Sequence, residues 1–146
     1  MKRLTLTSLL LCLPAFAFAS TCELSIDSTD QMRFTETELR VPAGCETVNL
    51  TLTHSGNLAK TVMGHNWVLV ESDQLSAVAT AAMAAGAANN YLPEGDDRIF
   101  AATDLIGGGE STSIEFSVAD LKGKDLTFFC SFPGHSALMK GAFIVE

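Results

Sequence analysis

The sequence predicts an all-β fold, a β-sandwich or barrel, carrying one helical flap. Three observations carry that prediction. After position 20, apolar residues alternate with polar ones in short runs. Clusters of Gly, Asn, Asp and Pro separate the runs. One alanine-rich segment breaks the alternation.

The elements follow in chain order. In "TVNLTLTH" (47–54), Val48, Leu50 and Leu52 share one face. In "TVMGHNWVLVE" (61–71), a single strand puts Met63, His65, Trp67 and Leu69 on one face. The segment from Ser72 to Asp97 is alanine-rich, opens on a candidate cap at Asp73 and closes on Asn89, Asn90 and Pro93, so it reads as one helix over 73–88. Its expected role is a flap over one edge or face of the sandwich. In "STSIEFSVADL" (111–121), Ile114, Phe116 and Val118 are in phase. In "DLTFFCSF" (125–132), Leu126, Phe128 and Cys130 are in phase, and "GAFIVE" makes a short last strand.

The first segment reads differently. "MKR" is cationic, an apolar run follows, and Ala17-Phe18-Ala19 resembles a cleavage site. The expectation is a secretory signal peptide over 1–19 and one domain over 20–146. A lipidated Cys22 is disfavoured, because Thr21 stands where lipidation signals carry Gly or Ala. No later stretch is apolar enough to predict a membrane span.

Charge and cysteines narrow the class. Without Lys2 and Arg3, seven basic side chains face 17 acidic ones, which takes the formal charge from −8 to −10. Such a surface argues against nucleic acid, whose phosphates need cations. It leaves room for a protein partner at a neutral patch. Loss of Cys12 with the leader leaves Cys22, Cys45 and Cys130. An odd count in an oxidising compartment flags one unpaired thiol. Cys22 and Cys45 make the natural disulfide, worth about 3 kcal/mol by loop entropy, and Cys130 is left over.

That thiol sits in "CSFPGHSALM" (130–139). Cys130 ends a strand, a Pro133-Gly134 turn follows, and His135 and Met139 come next. His65 is the second inward imidazole. One thiolate, two imidazoles and a weak axial thioether are the donors of an electron-transfer copper site: copper(I) favours sulfur and copper(II) accepts imidazole.

"MGHNWVL" (63–69) and "FFCSFPGHSALMKG" (128–141), with "THSGNLAKTVMGHNW" and "LIGGGES", resemble the azurins, the small blue-copper family of bacterial periplasms. The resemblance runs across nearly all of 20–146. It implies a Greek-key, cupredoxin-like sandwich. It also implies equatorial copper ligands His65, Cys130 and His135, with axial contacts from Met139 and the Gly64 carbonyl. By the same resemblance, Cys22 and Cys45 match the family disulfide. Asn66 ties the two ligand-bearing segments together, and Phe132 and Pro133 wall off the ion. Met63, Pro133, Ala137 and Leu138 form an apolar docking patch where His135 reaches the surface. The family's other histidine in the later loop is replaced here by Ala102, which weakens any pH linkage carried over from relatives.

Remaining candidates have plainer readings. Trp67 is core. His54 is a buried, hydrogen-bonded histidine rather than a switch. Met32 and Met83 form no Met-x-Met cluster, and "PEGDD" (93–97) is a solvated loop. The resulting expectation is a monomeric periplasmic one-electron carrier, not an enzyme, exchanging electrons with redox proteins such as c-type cytochromes or a periplasmic reductase. A copper buffer or chaperone is the alternative. A copper reductase needs a second histidine-rich site, and only His54 remains once the ligands are assigned.

Overall fold

A computed structural model describes residues 20–146; the leader expected over 1–19 lies outside the described residues. Strands β1 (Ser20–Thr29), β2 (Arg33–Phe34), β4 (Cys45–His54) and β7 (Ser111–Ser117) form one sheet in the order β2-β1-β4-β7. Strands β3 (Glu38–Val41), β5 (Val68–Glu71), β6 (Ala101–Ala102), β8 (Leu126–Phe129) and β9 (Lys140–Val145) form the other, ordered β3-β9-β8-β5-β6. Both sheets are mixed: β1 runs parallel to β4 and β3 parallel to β9, while the remaining pairs are antiparallel.

The alternation in β4 explains the first sheet. Val48, Leu50, Leu52 and His54 face inward and are buried, while Thr51 turns outward to share a hydroxyl hydrogen bond with Ser113. Register pairs Leu24 with Leu50 and Ile26 with Leu52, so apolar rows meet across β1 and β4. Cys22 and Cys45 join these strands as a disulfide, their Cα atoms 5.9 Å apart. Between the sheets Trp67 is fully buried, its ring 5.7 Å from Phe116, 5.8 Å from Phe128 and 5.7 Å from Phe143. Leu69, Phe116 and Val118 join that core, whereas Ile114 is only half-buried against it.

Two expectations need correction. The run 61–71 is not one strand. Lys60–Met63 forms a helical turn, α1, and the strand begins only at Val68. Met63 therefore does not continue the face of His65, Trp67 and Leu69. The break falls at Gly64, where an added Cβ would lie 2.4 Å from the Lys60 carbonyl oxygen and 3.1 Å from Phe132. His65 instead exchanges a pair of backbone hydrogen bonds with Ile106, at 2.9 and 2.8 Å.

The helix over 73–88 is also shorter. A 3₁₀ turn at Ser72–Gln74 leads into α2 (Leu75–Ala85), and Gly86 stops it at φ 71°. A positive φ turns the chain off the helix axis, and glycine adopts it without a Cβ penalty. Helix α2 does act as a flap. Val78 and Ala82 are buried, and Val78 clusters with Val68, Val70 and Phe129 on the outer side of the five-stranded sheet. That cover buries both faces of β5 and β8 and accounts for their continuous apolar runs "VLV" and "FF".

Candidate metal centre

The site lies at one end of the sandwich, where β1 and β4 finish and β8 gives way to a loop. Cys130 is the first residue beyond β8. Its N–H donates to the Met139 carbonyl at 3.0 Å, which closes the intervening loop into a ring. Within that ring, Gly134 adopts φ 83°, the His135 N–H donates to the Phe132 carbonyl at 3.0 Å, and the Met139 N–H donates to the His135 carbonyl at 2.8 Å. The loop is thus held by its own backbone, and His135 is directed back toward Cys130.

Three donor atoms converge there. Cys130 Sγ lies 3.9 Å from His65 Nδ1 and 3.6 Å from His135 Nδ1, and the two Nδ1 atoms are 3.2 Å apart. All three residues are buried, and they form a cluster suited to one metal ion. A trigonal ion with ordinary metal–sulfur and metal–nitrogen bonds would separate S and N by about 3.7 Å and the two N by about 3.5 Å. The donors fit one such ion. The Gly64 carbonyl oxygen lies 3.9 Å from Cys130 Sγ, and Met139 is fully buried in the same core as Cys130.

Burial sets the protonation of the donors. It pushes the Cys130 thiol up to about 12, although the backbone amides of Asn66 and Phe132 pull the other way. It pushes His65 and His135 down to about 4; at His65 the hydrogen bond to Thr29 opposes the shift. Both imidazoles are therefore neutral lone-pair donors at ordinary pH. An arriving cation has one proton to displace, the thiol's, since a coordinated thiol is deprotonated outright.

Supporting residues lock these positions. The Asn66 side chain accepts from the Ser131 N–H at 2.8 Å and donates to Ser131 Oγ at 2.7 Å, joining the residues next to His65 and Cys130. The Ser131 hydroxyl in turn donates to the Tyr91 carbonyl at 2.7 Å, anchoring the segment that follows α2. The Phe132 ring lies 4.6 Å from His135, with Tyr91 5.2 Å beyond it. Ser131, Tyr91 and Thr29 escaped the sequence reading. Two of them act through backbone carbonyls, which leave no mark in side-chain identity.

His135 is buried at 2 % exposure and does not reach the surface as the resemblance implied. Pro133, Ala137 and Leu138 are exposed beside His135, with Leu138 at 70 % exposure, while Met63 is half-buried. The same end exposes Val62 and Leu58, which the sequence did not single out. His54 is buried with its ring 4.5 Å from that of His65. Its Nε2 stands 3.2 Å from Asp30 Oδ1, but the alignment leaves both ring nitrogens without a hydrogen bond, contrary to expectation. In the 93–97 loop, Asp96 pairs with the Arg98 guanidinium at 2.5 Å.

The chain is similar to known proteins over most of its length. Residues 20–146 match the family model for copper binding proteins of the plastocyanin/azurin family. The chain belongs to this family. It is 53 % identical to the azurin of Pseudomonas fluorescens biotype C over 127 residues, covering 86 % of this chain and 98 % of that one. It is 44 % identical to the azurin of Pseudomonas aeruginosa over 147 residues, covering 100 % of this chain and 99 % of that one. Among solved structures, the azurin Az-iso2 of Methylomonas sp. strain J superposes with a TM-score of 0.82 at 43 % identity, over 86 % of this chain and 98 % of that one. Membership in a copper-binding family and a buried thiol–imidazole–imidazole set identify the cofactor as one copper ion.

Proposed function

We propose that this chain is a periplasmic one-electron carrier. His65, Cys130 and His135 would hold the copper ion, with Met139 and the Gly64 carbonyl as weaker contacts. The bound ion supplies the chemistry, alternating between copper(II) and copper(I). One observation carries the reading: three donors of mixed softness meet within 3.2 to 3.9 Å in a buried, hydrogen-bonded frame.

The protein's part is to hold that frame still. Asn66 and Ser131 link the two ligand-bearing segments, and the Cys130–Met139 backbone bond fixes the loop. A set that barely moves between oxidation states lowers the reorganisation each electron transfer demands. Phe132, its ring 4.6 Å from that of His135, shields this imidazole from water. Exposed Leu138, Ala137 and Pro133 offer a patch for brief docking near His135. The fitting partners are redox proteins such as c-type cytochromes or a periplasmic reductase. The leader-like residues 1–19 support export, and the carrier transforms no substrate of its own.

The test is spectroscopic. Copper-loaded protein should show an intense thiolate-to-copper visible band, bleach on uptake of one electron per copper, and recover its colour on reoxidation. A colourless copper complex, or bleaching that does not reverse, would sink the proposal.

A further inference from the structure

The basic side chains are unevenly spread. Arg40 pairs with Glu38 and Glu146, Arg98 with Asp96, and Lys124 with Glu71. Among the described residues the other four cations, Arg33, Lys60, Lys122 and Lys140, are exposed and form no ion pair.

Three of these four stand around the metal end. Arg33 lies opposite Thr29 in the β1–β2 pair, and Thr29 is the residue whose carbonyl holds His65. Lys140 follows Met139 and lines a groove of 490 Å³ together with Arg33 and Leu138. Lys60 opens α1 and lines a smaller cleft of 160 Å³ with Tyr91 and Phe132, the ring beside His135. Lys122 sits in the β7–β8 connection, at the opposite end of the sandwich. The metal end also holds three of the four exposed large apolar side chains: Leu138, Val62 and Leu58.

Carboxylates are present at this end as well, and they keep their charge. Three are held on hydrogen-bond donors of the fold: Asp27 accepts from the Thr53 and Ser55 hydroxyls, Asp30 from the N–H groups of Asn57 and Leu58, and Glu110 from the Gly107 N–H. Glu36, in the Arg33 groove, and exposed Asp104 remain. The far end carries exposed Glu46, Asp73, Asp120 and Asp125 besides Lys122.

We propose that the metal end docks a redox protein whose own electron-transfer edge is rimmed by carboxylates. The inference rests on the carrier reading and names the charge of its partner. The chain's net negative charge repels such a partner at a distance. At 0.1 M salt, charges are screened beyond about 10 Å, so at contact Arg33, Lys60 and Lys140 decide the orientation. They turn the copper edge toward the partner, and the Leu138 patch then closes on it.

Single charge reversals test this, because each changes the net charge equally. Copper-loaded protein is mixed with a small acidic c-type cytochrome at about 0.1 M ionic strength, where the net charge is screened, and the bimolecular electron-transfer rate is followed by stopped flow. Arg33→Glu, Lys60→Glu and Lys140→Glu should each slow the rate roughly five-fold, and Lys122→Glu by less than about two-fold. Equal slowing in all four, or in none, overturns the proposal. A second readout needs no copper. The redox-inert paramagnetic anion hexacyanochromate(III), added to metal-free protein, should broaden the amide signals of Arg33, Lys60 and Lys140. Uniform broadening, or broadening centred on Lys122, overturns it too. A blue protein that exchanges electrons reversibly but shows equal slowing fails this inference alone. A protein that takes up no electron fails the carrier reading, and the anion map still reports the ring of cations.

Discussion

The His65 Nε2–H donates to the carbonyl oxygen of Thr29 at 3.0 Å. That bond selects the tautomer. It leaves Nδ1 with a free lone pair, aimed at the space shared with Cys130 Sγ and His135 Nδ1. In metal-free protein at neutral pH, nitrogen NMR should find the His65 ring protonated at Nε2 and bare at Nδ1. The opposite tautomer would mean that Thr29 does not hold the ring.

Cys130→Ser removes the soft donor and keeps the shape. The visible band should vanish, while the circular dichroism of the sheets persists. The metal-free variant should lose roughly 1–3 kcal/mol in urea unfolding, since the new hydroxyl is buried without an assured partner. A retained blue band would remove Cys130 from the ligand set.

Met139 tests the axis. Met139→Leu conserves volume at a fully buried position, so stability should change by less than about 1.5 kcal/mol. The colour should remain, and the reduction potential should rise, because copper(II) loses a weak donor that favours it over copper(I). A lowered potential would count against the axial role.

The buried donors also predict a pH window for the metal-free protein. The ordinary histidine value is 6.5, and His65 and His135 are held down to about 4. Between those values the unfolded chain binds protons that the native state refuses, so stability falls as pH drops from 6.5 toward 4. Cys130 works from the other side. Its ordinary value is 9.0 and its native value about 12, so above pH 9 the unfolded chain sheds a proton that the native state keeps. Stability then falls again as pH rises. Urea midpoints measured across pH should plateau between these limits, and copper loading, which keeps all three donors unprotonated in the native state, should flatten the alkaline flank and steepen the acid one. A midpoint that climbs from pH 6.5 to 4 would contradict the burial of these groups.

Much of this was legible in the sequence, for physical reasons that differ by element. Alternation in 47–54 is a direct image of one wet face and one dry face, and β4 follows it residue by residue. The ten-residue loop from Cys130 to Met139 carries its donors in side chains, so its chemistry could be read. Between Thr61 and Trp67 the same logic failed. An apolar spacing that suits a strand there covers a helical turn, a glycine packed against Lys60 and a single bridge to Ile106. Crowding at Gly64 comes from the Lys60 carbonyl, which only a helical turn brings close, and from Leu105 and Phe132, distant in the chain. The roles of Thr29 and Tyr91 were equally hidden, because a carbonyl oxygen is present in every residue and only the fold decides which one is used.

The backbone bond between Cys130 and Met139 has a consequence for manufacture. Every sulfur donor, and one imidazole, falls in the closing stretch after Phe129, while the other imidazole waits far upstream. A fragment that stops short of this stretch has no cage. Under the carrier reading, the blue absorbance of a copper-saturated preparation would count full-length, correctly assembled molecules, and its ratio to total protein would serve as a built-in assay of intact product.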